Sequence, residues 1–153
     1  MNYYIKTMWG PRADRYPEKD KGGVISFSIN YPKQAKKFRE CNGFFLYETG
    51  CKENNQIGVK AIYAYGQIAD NQKGEDLERN YITRGKEFSW GVRVDINKRV
   101  KSEDGISISR LRKLGIKQFQ VPGGLIKITD EQFKILKKEL DKIKNKDEAL
   151  RCI

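Results

Sequence analysis

Apolar and polar residues alternate with period two over several short stretches of the chain and with helical period over others, which predicts a sheet carrying a few helices. Tyr3 to Thr7 (YYIKT) alternates around Lys6 and predicts a first strand. Val24 to Ile29 (VISFSI) predicts a second, with Ile25, Phe27 and Ile29 on one face and Ser26 and Ser28 on the other, against something polar or open. Phe44 to Thr49 (FFLYET) and Gly58 to Ile68 (GVKAIYAYGQI) are strongly β-prone, and in the latter Val59, Ala61, Tyr63 and Tyr65 share a face. Phe88 to Ile96 alternates most clearly, with Trp90, Val92, Val94 and Ile96 together.

Helical spacing follows Pro32 to about Glu40, where Ala35 and Phe38 point one way and Lys33, Lys36 and Lys37 the other. Ser109 is the candidate cap of a short helix through Leu111 and Leu114 that stops at Gly115. Phe119 to Ile128 reads as extended with a turn at Pro122, Gly123 and Gly124. Thr129 and Gln132 have capping-box spacing ahead of Phe133, Leu136, Leu140 and Ile143, which predicts the last helix. Two polar stretches, MWGPRADRYPEKDKGG and Asp70 to Glu87, read as long surface loops, the second containing Tyr81. Many strands, few helices and no regular β-helix alternation predict a barrel-like α+β domain, with helices packed outside a closed or partly closed sheet. We place this single domain over residues 1–146 and a polar tail over 147–153.

At 153 residues the chain is long enough for one core without staples, and 38% hydrophobic residues beside 33% charged argue for a folded protein. Lys and Arg number 31 against 20 Asp and Glu, a formal charge of +11, so polyanions are the natural partner. The alternative is a lysine-rich surface with no ligand. Histidine is absent, which removes the commonest general base and transition-metal ligand, and Cys41, Cys51 and Cys152 are scattered without CxxC spacing. We therefore expect no catalytic centre, no metal and no cofactor, with the cysteines as reduced thiols. No stretch has the length of a secretory apolar region or of an uncharged membrane span, so a cytoplasmic protein without a membrane partner is expected.

The order of segments resembles the EVE and YTH families of the PUA-like superfold from Tyr3 to about Leu140. YYIKT is similar to the family's first strand, which ends in a Lys-Ser or Lys-Thr pair, and FFLYETGCKENNQIGVKAIY to its central hairpin. FSWGVRVDI is similar to its Trp-containing strand, and GLIKITDEQFKIL to its closing strand and helix, with Thr129, Glu131 and Phe133 at familiar spacings. The resemblance implies a PUA-like β-barrel (pseudobarrel) flanked by helices, and a reader that accommodates a flipped, modified base of DNA or RNA, methylated or similar, in an aromatic pocket. Its pocket would draw on Thr7 and Met8, Ile25 and Ser26, Tyr47 and Thr49, and Tyr81 or Trp90. The chain departs from the families at Ile25, where they carry a tryptophan. Trp9, in the loop after the first strand, is the candidate for the missing wall.

Taking a base out of its stack costs a few kcal/mol, and one stacked ring returns about 1–3 kcal/mol. Two walls, hydrogen bonds to the base edge and charge neutralisation at phosphates are needed together. Ser26, Ser28, Asn30 and Thr49 are candidate edge readers, and Lys33, Lys36, Lys37, Arg110, Arg112 and Lys113 are candidate phosphate contacts. Either basic cluster reads equally as a solvated helix face, and Trp90 equally as core. Tyr63, Tyr65 and Phe133 read as core, and the carboxyl-terminal lysines as plain solvation. A separate nuclease or other effector protein is a further partner the reader class would use. The rivals are a metal-dependent nuclease built on Asp95 and Glu87, a protein-interaction module using Trp9 and Tyr16, and recognition of unmodified RNA by shape without a base pocket.

Overall fold

A computed structural model describes residues 1–10, 21–53, 55–70, 81–83, 86–88 and 90–144, with backbone alone at 21–22, 53, 81–83 and 86–88. Residues 11–20 of the first long loop and the 147–153 tail lie outside the described residues, and Lys21–Gly23, expected at the end of that loop, open a strand instead. The main sheet runs in the order β11 (Leu125–Ile128), β1 (Tyr3–Met8), β3 (Gly43–Glu48), β6 (Ala61–Ile68), β9 (Trp90–Arg99), β2 (Lys21–Phe27), with β10 (Ile106–Ser107) also on β6. Among the described strands only β1 and β3 pair in parallel, and the chain between them passes through β2 and α1 (Pro32–Arg39). The fold is α+β, as expected, with a strongly curled mixed sheet forming a half-barrel flanked by α1, α2 (Ile108–Lys113) and α3 (Asp130–Asp141).

The curl has a local cause. Register shifts interrupt the β3–β6, β6–β9 and β2–β9 ladders at Leu46/Tyr47, Tyr65/Gly66 and Lys21/Gly23, and such bulges add bend and right-handed twist. At the second shift a Cβ on Gly66 would fall 2.2 Å from the Asp95 carbonyl oxygen, so only glycine allows β9 this close. The bending brings β1 back toward β2, the far edge of the sheet, until the Lys6 ammonium stands 4.5 Å over the Phe27 ring.

Both faces of the curled sheet are covered. Phe44 packs on Phe38 of α1 at 4.9 Å between ring centroids, and Phe38 on Phe27 at 5.6 Å, filling the concave side. The next residue, Phe45, points to the other face and meets Phe133 of α3 at 5.0 Å, while Tyr3 stacks on the same Phe133 at 3.9 Å. Every position of β3 is therefore buried, as is every position of β6 except Gln67, which explains why FFLY and AIYAY read as continuous apolar runs. Thr129 and Gln132 form the predicted capping box, and Gln132 Nε2 also donates to the Leu114 carbonyl at 2.9 Å, tying α3 to the end of α2.

Several boundaries differ from the sequence pattern. β2 stops at Phe27 because Ser28 to Tyr31 turn back on a 3.0 Å Tyr31 N–H to Ser28 carbonyl bond, leaving Ile29 68% exposed. The strand expected from Gly58 begins at Ala61, since Gly58 closes a small hairpin of β4 (Lys52–Glu53) and β5 (Gln56–Ile57) and Lys60 sits at φ 60°. The stretch expected to loop through Glu87 contains a hairpin, β7 (Tyr81–Thr83) with β8 (Lys86–Phe88). Ser107, not Ser109, caps α2, accepting the Arg110 N–H. Phe119 to Val121 stay outside the sheet, and β11 starts only after the turn at Pro122–Gly124. No helix among the described residues is long and apolar enough to cross a membrane.

Candidate nucleic-acid interface

The most unusual local chemistry is at the seam where the curled sheet nearly meets itself. In β1, Tyr4, Lys6 and Met8 project to one face and Tyr3, Ile5 and Thr7 to the other, by simple alternation. Lys6 thus lies inside the barrel at 8% exposure, with its ammonium over the face of Phe27 and donating to the Gly123 carbonyl at 2.7 Å. It has no carboxylate partner among the described residues. Desolvation pulls its pKa from 10.5 down to about 8. An ammonium has three donors and no acceptor capacity, so Lys6 retains donors beyond the one given to Gly123.

Four segments converge on this corner. The turn at Pro122–Gly124 packs against α1, where a Cβ on Gly123 (φ 67°) would meet Gln34 at 3.0 Å and Tyr31 at 3.4 Å. Gly124 (φ 66°) lies against β1, with no room for a Cβ, which would fall 2.2 Å from Thr7 Oγ1 and 3.2 Å from Lys6 Nζ. Trp90 stands opposite Phe27 in the β2–β9 register, half-buried, and its Nε1–H donates to the Ile29 carbonyl at 3.4 Å. α1, which meets the turn through Gln34, also carries exposed Lys33, Lys36 and Lys37, the last two in its final turn.

Of the pocket residues expected from sequence, Thr7 and Trp90 border this corner. Ser26 is half-buried on β2, opposite Gly91. Ile25 and Tyr47 are 4% and 2% exposed, within the core. Tyr47 points to the convex face, where its ring lies 5.1 Å from Phe119 and burial pushes its phenol up to about 12 against the opposing pull of Arg112. Thr49 serves a tight crossing of backbones: its hydroxyl accepts the Gly10 N–H at 3.1 Å, and a Cβ on Gly10 or Gly58 would fall 2.2 or 1.7 Å from its carbonyl oxygen. Next to it Glu48 is fully buried, its carboxylate accepting the Val59 N–H at 2.6 Å and the Ser102 hydroxyl at 3.0 Å. Met8 is half-buried on the face of Lys6, Trp9 is 53% exposed, and the side chain of Tyr81 lies outside the described residues. The expected pocket is thereby divided between the two faces of the sheet.

The two basic clusters also differ. Lys33, Lys36 and Lys37 have no ion-pair partner among the described residues, although Lys36 and Lys37 also suit the negative end of the α1 dipole. In the second cluster Arg110 is held by Glu139 through Nε at 2.8 Å and Nη2 at 2.5 Å, which spends its charge within the fold. Arg112 and Lys113 remain exposed. Sequence reasoning missed Lys6, Phe27 and Gly123 as one constellation. The available signal was a lysine between Tyr4 and Met8 on a strand face that is otherwise apolar. Compared with models of protein families the chain matches none, and a search of curated proteins returns no match.

Proposed function

We propose that this protein is a nucleic-acid-binding module of the PUA-like, EVE/YTH kind, which holds the phosphate backbone on α1 and one unstacked base at the seam between β1, the end of β2 and Trp90. The observation that carries this reading is Lys6. A buried ammonium without a counter-anion is costly, and a ligand that brings phosphate or base oxygens to it supplies the missing acceptors. Trp90 offers a ring beside it, exposed Trp9 is near in sequence, and the exposed α1 lysines neutralise phosphates. With Ile25 and Tyr47 in the core, the walls for a base reduce to Trp90 and Trp9, and discrimination for a modified base rests on them.

Tryptophan fluorescence, titrated with paired modified and unmodified oligonucleotides at two ionic strengths, tests the proposal. Hydrogen bonds to a charged group contribute about 1.5–3 kcal/mol, so Lys6→Met should weaken binding by roughly ten- to a hundredfold. Lys33→Gln/Lys36→Gln/Lys37→Gln should flatten the salt dependence by about 2 in log–log slope on single strands. Trp9→Ala should erase discrimination between the paired oligonucleotides while keeping the slope. Equal, salt-insensitive binding by all variants would reject the reading.

A further inference from the structure

A second lysine surface lies on α3, away from the seam. Because Phe44 packs on α1 and its neighbour Phe45 on α3, the two helices cover opposite faces of β3. Along α3, Lys134, Lys137, Lys138, Asp141 and Lys142 line a surface depression of about 430 Å³. Lys134, Lys138 and Lys142 are exposed and recur every fourth residue, which spaces them by about 6 Å along the helix axis.

One acid, Asp141, stands within the depression, and another on the same helix, Glu139, is turned from it. Asp141 accepts the Tyr65 hydroxyl at 2.9 Å and the Lys137 ammonium at 3.2 Å, with Lys137 standing 5.1 Å over the Tyr65 ring. Glu139 faces α2 and is engaged by Arg110. Four lysines against one aspartate leave the depression at a formal 4 − 1 = +3. An ordinary solvated helix face alternates its signs at i, i+4. This one carries a single such pair, Lys137 with Asp141, beside three further lysines that have no ion-pair partner among the described residues, and its aspartate is also held by the Tyr65 hydroxyl.

We propose that this α3 depression is a second phosphate-backbone site, so that one chain holds two nucleic-acid segments, one on each face of the sheet. The proposal rests on the nucleic-acid reading above and extends it from one contact to two. Lysines acting as mobile point charges on an otherwise unspecialised surface suit a phosphodiester backbone and carry no base information, so the second site is sequence-independent, whereas the seam inspects a base.

The test is stoichiometry on the full chain. A mixed-sequence single-stranded DNA, too short to reach around the domain, is titrated at low salt by calorimetry, and two differently labelled copies are mixed to read energy transfer. The expected result is two oligonucleotides per chain and energy transfer for the wild type. One oligonucleotide and no transfer are expected for Lys134→Gln/Lys138→Gln/Lys142→Gln, with both restored by the corresponding triple Arg variant. Lys33→Gln/Lys36→Gln/Lys37→Gln should also fall to one, leaving the α3 site. A wild type that binds a single oligonucleotide, unaffected by the α3 substitutions, overturns this proposal and leaves the seam reading standing. Failure of every oligonucleotide to bind at low salt rejects both. Capture of phosphatidylserine vesicles or an acidic peptide through the α3 lysines, with no second oligonucleotide, also overturns it.

Discussion

A lysine inside a barrel changes how stability responds to pH, and the direction follows from its shift. Lys6 has its pKa lowered to about 8 from 10.5 by desolvation. Between those values the unfolded chain holds more protons than the folded one, so stability rises with pH across the window, and the full penalty of the buried charge applies below about pH 8. A shift of this size corresponds to about 3 kcal/mol. Cys41 acts in the opposite direction: burial pushes its thiol from 9.0 up to about 12, so its contribution is lost as pH climbs above about 9. The interval from pH 8 to 9 therefore isolates Lys6 from Cys41. Urea denaturation should show the wild type gaining stability from pH 8 to 9 and Lys6→Met staying flat. At pH 7 the Met variant should be the more stable by about 1–4 kcal/mol, less the lost bond to Gly123. A wild type flat over this interval would mean that Lys6 is solvated, and the seam would lose its argument for a ligand.

At the scale of elements, the joint between α2 and α3 makes a sharper prediction than either helix alone. Thr129→Ala removes one capping bond and should cost about 1 kcal/mol. Gln132→Ala removes the reciprocal capping bond and also leaves the Leu114 carbonyl without its 2.9 Å donor, so it should cost more, about 1–2 kcal/mol. The double variant should fall short of the sum, because both residues serve the same box; additive losses in chemical denaturation would show that the box does not act as a unit. The capping box was legible beforehand through the Thr129 and Gln132 spacing, as were α1 and the alternating strands, because each depends on residues close in sequence, whereas the Gln132 bond to Leu114 that makes the joint was not. The β7–β8 hairpin was not legible, since its two three-residue strands lie in a polar stretch too short to show alternation, and neither was the start of β6, where Lys60 at φ 60° interrupts an apolar run that reads as continuous. The candidate site was less legible still. Alternation assigns Thr7 and Lys6 to opposite faces, but which face becomes the interior is decided by α1 and α3, and Phe27 joins Lys6 only because the bulges curl β2 round to β1. The resemblance in segment order named residues on both faces, and two of them, Ile25 and Tyr47, are in the core.

For the whole molecule the governing quantity is its formal charge of +11. Exposed pairs such as Lys137 with Asp141 contribute about 0–1 kcal/mol each, whereas self-repulsion acts on every lysine at once and weakens as the Debye length shrinks from about 30 Å at 0.01 M salt to about 10 Å at 0.1 M. Sodium chloride should therefore raise the melting temperature over that range, where a chain stabilised chiefly by surface pairs would lose stability. A bound polyanion should do more, because it adds binding free energy to screening. At a hundred times Kd one site contributes about 2.7 kcal/mol, which in a domain of this size is roughly 5–10 °C. Two independent sites contribute twice that, so short oligonucleotides at saturation should raise the melting temperature of the wild type about twice as far as that of the Lys134→Gln/Lys138→Gln/Lys142→Gln variant. Equal shifts in scanning fluorimetry would confine binding to one face of the sheet, and shifts matched by sodium chloride at equal ionic strength would reduce the excess charge to solvation.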